Sequence, residues 1–336
     1  MTFYFARCIF IHGFSFVAMK YIDKKRQKPP CVDIIDYLCQ CMKGLIPYTV
    51  NVGGRLLDLS EPLVMGILNA TPDSFYAGSR RQTEAEIASR ASQIVAEGGA
   101  IIDVGAYSTR PGAAKVTAGE EMERMRMALK AVRMAEPEAV VSVDTFRPEV
   151  ARMSVEEYGA AIINDVSGGN VEGAFGGEEM LESAYRGVSV DDAPPIFVEA
   201  ARLGAPYILM SSRPNIVSIM QDFAPKVQLL RDLGQKDIIL DPGFGFGKTL
   251  DENYEVLARM GRLREMGLPV LAGVSRKSMI SRVLGTDAAG ALTGTVAANV
   301  LATVLGGASI LRVHDVKECV EAVKIVKETM RYWDVL

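Results

Sequence analysis

Residues 237–248 read Asp237-Ile238-Ile239-Leu240-Asp241-Pro242-Gly243-Phe244-Gly245-Phe246-Gly247-Lys248. This is a short apolar run, a carboxylate at its end and a glycine-rich loop, and an amphipathic helical stretch follows over Leu250–Glu265. The unit is not isolated. Apolar runs recur at Leu63–Leu68, Ile101–Val104, Val140–Val143, Ala161–Ile163, Tyr207–Leu209, Ile238–Leu240, Val270–Ala272 and Ser309–Leu311. Helical patterns lie between them, among them Glu84–Glu97, Glu120–Met134, Pro148–Glu157, Leu292–Leu305 and Val316–Arg331. Near-continuous apolar strands alternating with helices predict parallel strands buried on both faces. Eight such units predict a (β/α)₈ TIM barrel, an α/β fold in one domain over residues 46–336, because sandwiches and bundles do not alternate in this way.

The loop after Asp241 resembles a nucleotide loop and fails both nucleotide tests. A Walker A loop needs four residues between its first glycine and Gly-Lys-Ser/Thr, and Gly243 to Gly247 leaves three; a dinucleotide fingerprint needs G-x-G-x-x-G, and this is G-x-G-x-G. What remains is a carboxylate at a strand end, two aromatic rings, Phe244 and Phe246, and the cation Lys248, which reads as a loop-surface charge. A carboxylate accepting paired N–H donors beside rings that can stack suits a flat nitrogen heterocycle better than a triphosphate.

Polar residues then fall at the C-terminal ends of seven of the eight runs, where barrel enzymes build their sites. Asn69 follows the first run, Thr109-Arg110 the second, Asp144 the third and Asn164-Asp165 the fourth. Asp241 follows the sixth, Ser275-Arg276-Lys277 the seventh, and Arg312 and His314 end the eighth. Asp144, Asn164 and Asp241 can read a heterocycle edge, and Lys277 can donate to it. Arg312 and His314 sit where this fold often binds phosphate. Ser278 starts a helix whose first N–H groups can meet an anion, and Asn69 can offer its carbonyl oxygen to Mg²⁺. Together they describe a heterocycle diphosphate with a second, anionic partner. Each also has a plainer role: Asp144 can cap the helix at Pro148, Asp165 can cap locally, and Arg276 can pair with a surface carboxylate.

Composition sets the limits. In 336 residues, 49% hydrophobic and 23% charged with a net charge of −4, nothing points to nucleic-acid binding. No run reaches the ~18 apolar residues of a membrane span. Two histidines, His12 and His314, exclude a multi-histidine metal site. Cys8, Cys31, Cys39 and Cys41 lie in the first 41 residues and Cys319 stands alone, so the barrel does not depend on disulfides, which fits the cytoplasm. Residues 1–45 differ from the rest and read as an extension, disordered or upstream of a true start at Met19 or Met42. The Cys8–Met19 stretch is a poor signal peptide, interrupted by His12, Gly13 and Ser15.

Seven ordered motifs resemble the dihydropteroate synthase family. They are Val64–Phe75, Ile101–Gly112, Ser142–Thr145, Ile163–Gly169, Leu240–Lys248, Gly273–Ile280 and Arg312–Val316. The resemblance implies a barrel, usually a homodimer, that joins 6-hydroxymethyl-7,8-dihydropterin diphosphate to 4-aminobenzoate, with Mg²⁺, releasing diphosphate and 7,8-dihydropteroate. Carried onto matching positions, it gives Asp144, Asn164, Met210, Asp241 and Lys277 to the pterin. Asn69, Arg312 and His314 go to Mg²⁺ and diphosphate, and Thr109, Arg110, Phe246 and Ser278 to the aminobenzoate. Lys277, Arg312 and His314 carry the chemistry: diphosphate departs, and the neutral arylamine captures a pterin-stabilised methylene cation. Loops bearing Phe75 and Arg110 would close to exclude water.

Three segments depart from the family pattern. Tyr76-Ala77-Gly78 stands where Ser-Asp-Gly is common, Ala106-Tyr107 replaces Gly-Glu, and Ser211-Ser212-Arg213-Pro214 replaces His-Met-x-Gly after Met210. Residues 172–194 are an insertion, expected as a surface excursion. The departures leave a non-catalytic pterin-binding paralogue as an alternative. A methyltetrahydrofolate-dependent methyltransferase is a second, though it has no use for the Arg312/His314 pair.

Overall fold

The computed structural model describes residues 48–70, 80–107, 116–170 and 190–332, with backbone alone at 80–83. The expected extension over 1–45 lies outside them, as do Phe75-Tyr76-Ala77 and most of the 172–194 insertion. A hairpin of β1 (Thr49–Val52) and β2 (Arg55–Asp58) comes first among the described residues, turning at Gly53-Gly54, both at positive φ. Then come β3 (Leu63–Asn69), α1 (Arg80–Ala96), β4 (Ile101–Gly105), α2 (Ala118–Ala135), β5 (Val140–Asp144), α3 (Pro148–Tyr158) and β6 (Ile162–Asp165). The second half is α4 (Pro195–Leu203), β7 (Tyr207–Met210), α5 (Ile216–Asp232), β8 (Ile238–Asp241), α6 (Leu250–Arg259), β9 (Leu271–Ala272), α7 (Ser278–Leu284), α8 (Leu292–Val304), β10 (Ile310–Val313) and α9 (Val316–Met330).

The eight strands from β3 to β10 form one parallel sheet in the order β8-β7-β6-β5-β4-β3-β10-β9. A parallel bridge between Leu240 and Val270, with the Leu240 N–H donating to Pro269 O at 2.9 Å, joins the two ends into a barrel. All eight apolar runs became strands. Strand β1 pairs with β2 alone and does not enter the barrel.

Strand parity divides the interior in two. Val64, Leu68, Ile102, Val104, Val141, Val143, Ile163, Leu209, Leu240 and Leu311 pack outward against the helices. Met65, Ile101, Ile162, Ile208, Ile239, Leu271 and Ile310 form the opposite cluster, closed by Val50, Val52 and Leu59 around the hairpin. Burying each such side chain contributes roughly 1.5–3 kcal/mol. Two residues further along each strand, on the same parity as the second cluster, stand Asp103, Asp144, Asn164, Met210, Asp241 and Arg312. The period of two thus lays a polar layer on top of an apolar one, at the C-terminal ends of the strands. Among the described residues no helix is long and apolar enough to cross a membrane.

Candidate active site

Arg312 organises one side of this layer. Its Nε donates to Asp103 Oδ2 at 2.6 Å and its Nη2 to Asp144 Oδ2 at 2.7 Å. The second bond disposes of the reading of Asp144 as a helix cap: α3 is preceded by Arg147, with no side-chain cap. Asn164 Nδ2 donates to Asp103 Oδ2 at 3.2 Å. Burial, with Asp103, Glu121 and Asp165 nearby, pushes Asp144 up to about 7 against the pull of Arg312. Burial also works against the charge of Arg312, but Asp103 and Asp144 outweigh it and its pKa rises.

Among the described residues three buried oxygen atoms in this layer have no hydrogen-bond partner: Asp103 Oδ1, Ser142 Oγ and Asn164 Oδ1. Buried acceptors are normally satisfied, so these mark a place for donors from outside the protein. Asp103 was not among the residues expected from sequence. A carboxylate inside the apolar run Ile101-Ile102-Asp103-Val104 is costly without a partner, and that cost was the available signal.

The other side is built by the loop after β8. Gly243, Gly245 and Gly247 all have positive φ, at 66°, 79° and 64°, the region where glycine avoids the steric penalty of a side chain. A Cβ on Gly245 would stand 2.9 Å from Lys277 Cδ, so the lysine stem runs against bare backbone. Lys277 donates to Phe244 O, and its ammonium lies 4.8 Å from the Phe246 ring centroid. Burial brings Lys277 down to about 8, opposed by Asp241. Asp241 accepts from the Gly243 N–H at 2.8 Å, and burial raises its pKa although Lys277 counteracts it.

Two expectations for this loop need correction. The Phe244 ring is fully buried in the barrel–helix core and cannot stack on a ligand; only Phe246 remains half-exposed. Lys248 is not a surface charge. The left-handed Gly247 turns it inward, where its ammonium donates to Ser211 O at 3.2 Å and Gly243 O at 2.9 Å, and burial brings it down to about 7.

A ladder joins the last two loops. The His314 N–H donates to Ser275 Oγ at 3.2 Å, and the same hydroxyl lies 3.2 Å from His314 Nδ1. Arg276, at φ 53°, forks onto Asp315 at 2.8 and 2.7 Å, so it is a staple, as its plainer reading held. Asp165 is structural too, accepting from the Ser167 and Gly169 N–H groups and from Tyr207 Oη. Asn69 ends β3 exposed, and Ser278 is exposed at the first position of α7. A Cβ on Gly105 would be 3.7 Å from Asp144 Oδ2 and 3.8 Å from Asn69 Oδ1, so those two oxygens lie near one point beside this glycine. Thr109 and Arg110 lie outside the described residues. At the foot of their loop, Tyr107 packs edge-on against Phe146 at 5.3 Å with the Arg147 guanidinium over both rings.

Fold and site together define a pterin-binding barrel: residues 65–314 match the model of the pterin binding enzyme family, and the chain belongs to that family. Within it the chain stands with the dihydropteroate synthases, transferases that form a C–N bond. It is 39% identical over 294 residues to dihydropteroate synthase of Escherichia coli (strain K12), covering 82% of this chain and 95% of that one. To the Synechocystis enzyme it is 36% identical over 307 residues, covering 86% and 98%. The structure of the Xanthomonas albilineans enzyme with 4-aminobenzoic acid matches with a TM-score of 0.72 at 33% identity, covering 84% and 98%. That of the Coxiella burnetii enzyme in complex with pteroic acid matches with a TM-score of 0.68 at 31% identity, covering 84% and 98%.

Proposed function

We propose that the polar layer at the barrel mouth is where this chain joins 6-hydroxymethyl-7,8-dihydropterin diphosphate to 4-aminobenzoate. The observation that carries the assignment is the set of unpartnered buried oxygens, Asp103 Oδ1 and Asn164 Oδ1, facing the same layer as Asp144 and Asp241. A pterin edge supplies the N–H donors they lack, while Lys277 donates to a ring acceptor and Met210 lines the floor. Arg312 and His314 lie on one strand end and receive the charge that grows on the departing diphosphate. Arg312 is held by two carboxylates, so its guanidinium is oriented before substrate arrives. Phe246, Ser278, Thr109 and Arg110 are assigned to the aminobenzoate. Its neutral amine needs no strong base to attack; the proton is lost after the C–N bond forms.

Mg²⁺ fits as an ion that arrives with the diphosphate rather than as a resident metal. Among the described residues no group of three His, Cys, Asp or Glu side chains could hold one, and the exposed amide oxygen of Asn69 is the protein donor assigned to it. When bound, it supplies charge neutralisation on the leaving group. A cytoplasmic homodimer completes the proposal. Val283 and Leu284 on α7, Leu301 on α8 and Leu305 just after it leave apolar side chains exposed on and beside neighbouring helices, which supports self-association.

Calorimetric titration of the pterin diphosphate into the full chain and into Asn164→Leu tests the assignment. The expected result is a loss of binding on the order of 10²-fold or more in the variant, the range for burying an acceptor site without its partner. Undiminished binding by the variant, or none by the native chain, would overturn it.

A further inference from the structure

Position 211 lies where the chain leaves its family's motif, and every polar atom of Ser211 is engaged. The Ser211 N–H donates to Asp241 O at 3.0 Å, and its carbonyl accepts from Lys248 Nζ at 3.2 Å. Its hydroxyl donates to Asp222 Oδ2 at 2.7 Å and accepts from the Arg213 N–H at 3.4 Å. Asp222, one turn before Lys226 on α5, pairs with that ammonium at 3.0 and 3.1 Å. The side chains of Asp222 and Lys226 are only 5% and 2% exposed.

An ion pair this deep gives weak evidence of stabilisation, because desolvation offsets the attraction; its better-attested use is to fix geometry. The geometry here is a junction of three site loops. A Cβ on Gly168, after β6, would meet Met210 O at 2.5 Å and Lys226 Nζ at 3.2 Å. A Cβ on Gly243, after β8, would meet Ser211 O at 2.3 Å and Met210 Cγ at 3.1 Å. Neither glycine has room for a side chain against the end of β7, and Lys248 ties Gly243 O to Ser211 O. The immediate neighbours of the junction are Met210, beside Ser211 in the chain, and Asp241, bonded to its N–H.

We propose that Ser211, Asp222 and Lys226 form a positioning unit that, with Lys248 as a clamp, fixes Met210 and Asp241 for the pterin ring. The unit touches no substrate; it acts through those two residues. This rests on the assignment of Met210 and Asp241 to the pterin. It implies that Ser211 and Asp222 govern affinity for the pterin substrate alone, whereas Lys248 shares Gly243 O with the Phe246 N–H, at 2.9 and 3.2 Å, and so also bears on the loop that carries Phe246.

Steady-state kinetics and calorimetry on native protein, Ser211→Ala, Asp222→Asn and Lys248→Met test it. Expected is a 5- to 20-fold rise in KM for the pterin diphosphate in each variant with kcat changed less than twofold, and a KM for 4-aminobenzoate changed less than twofold in Ser211→Ala and Asp222→Asn. In the double variant Ser211→Ala/Asp222→Asn the effect should be no larger than in the stronger single one, because both act on the one Ser211–Asp222–Lys226 chain. Ser211→Thr, which keeps the hydroxyl, should restore pterin affinity to within threefold. Should Asp222→Asn fail to fold, Ser211→Ala carries the same expectation, and Lys248→Met carries that for the pterin KM. Equal loss toward both substrates, or a lowered Tm with an unchanged pterin KM, would reduce the unit to ordinary packing and overturn the proposal. Absence of pterin binding by the native chain would instead overturn the pterin assignment beneath it.

Discussion

Asp103 and Arg312 meet inside the barrel: the wholly buried carboxylate on β4 accepts from Arg312 Nε at 2.6 Å, reaching past β3 to β10. The carboxylate thereby orients the guanidinium at the mouth, and Asp144 takes its second edge. Charge-assisted bonds of this kind are about twice as strong as neutral ones.

Removing Asp103 should therefore cost both stability and rate. Asp103→Ala leaves a buried arginine short of a partner, a change that typically costs about 3–5 kcal/mol. Urea unfolding should show that loss. Turnover of the folded fraction should fall on the order of 10²-fold, the range for a displaced charge stabiliser. Unchanged kinetics would show that Arg312 needs no such orientation.

Lys277 gives the reaction a descending alkaline limb. Its pKa is brought down to about 8 by burial, so kcat/KM for the pterin substrate should fall as pH rises through that value. Lys277→Arg keeps its charge over this range. It should lose activity at every pH yet show no limb near pH 8. A limb that persists in the variant would assign the titration elsewhere.

Gly245→Ala separates backbone strain from site geometry. At φ 79° the new side chain costs roughly 1–2 kcal/mol, and its Cβ would press on Lys277 Cδ at 2.9 Å. The pterin KM should rise on the order of 10-fold, a displaced hydrogen bond being worth about 1 kcal/mol or more. Gly53→Ala, at φ 63° with open space around it, should carry similar strain and leave the kinetics unchanged. Equal kinetic effects from both would refute the fit between Gly245 and Lys277.

The substrate-free protein should be least stable near neutral pH, as far as three site groups decide it. Asp144 is raised to about 7, so its contribution is fully present below its unfolded value and is lost as pH rises toward 7. Lys248 and Lys277 are lowered to about 7 and about 8. Their contributions are present above the unfolded lysine value and are lost as pH falls toward those numbers. The opposing slopes meet between pH 7 and 8. Chemical unfolding from pH 5 to 10 should show a shallow minimum there whose acid side Asp144→Asn makes less steep, Asp241 keeping part of that slope because burial raises it too. A monotonic profile with no change in the variant would contradict these ionisations.

The barrel and most of its mouth were legible because one period serves both. Alternation within strands such as Ile162-Ile163-Asn164 and Ile238-Ile239-Leu240-Asp241 sends the terminal polar residue to the same side as an interior apolar one. What stayed hidden depended on turns or on distant partners. Phe244 and Lys248 were misplaced because consecutive left-handed glycines reverse the loop's sidedness, which residue spacing does not reveal. Asp103 was passed over because its partner Arg312 is 209 positions away. The Ser211–Asp222–Lys226 junction was noticed only as a departure at 211–214, since its bonds run to a helix with no motif of its own.

The most direct measurement is diphosphate release by the purified chain given the pterin diphosphate and Mg²⁺, with and without 4-aminobenzoate. The expected result is release that depends on 4-aminobenzoate, matches dihydropteroate formed mole for mole, and collapses in Arg312→Ala. Pterin binding with no aminobenzoate-coupled release would contradict catalysis at this mouth and leave a pterin-binding protein in its place.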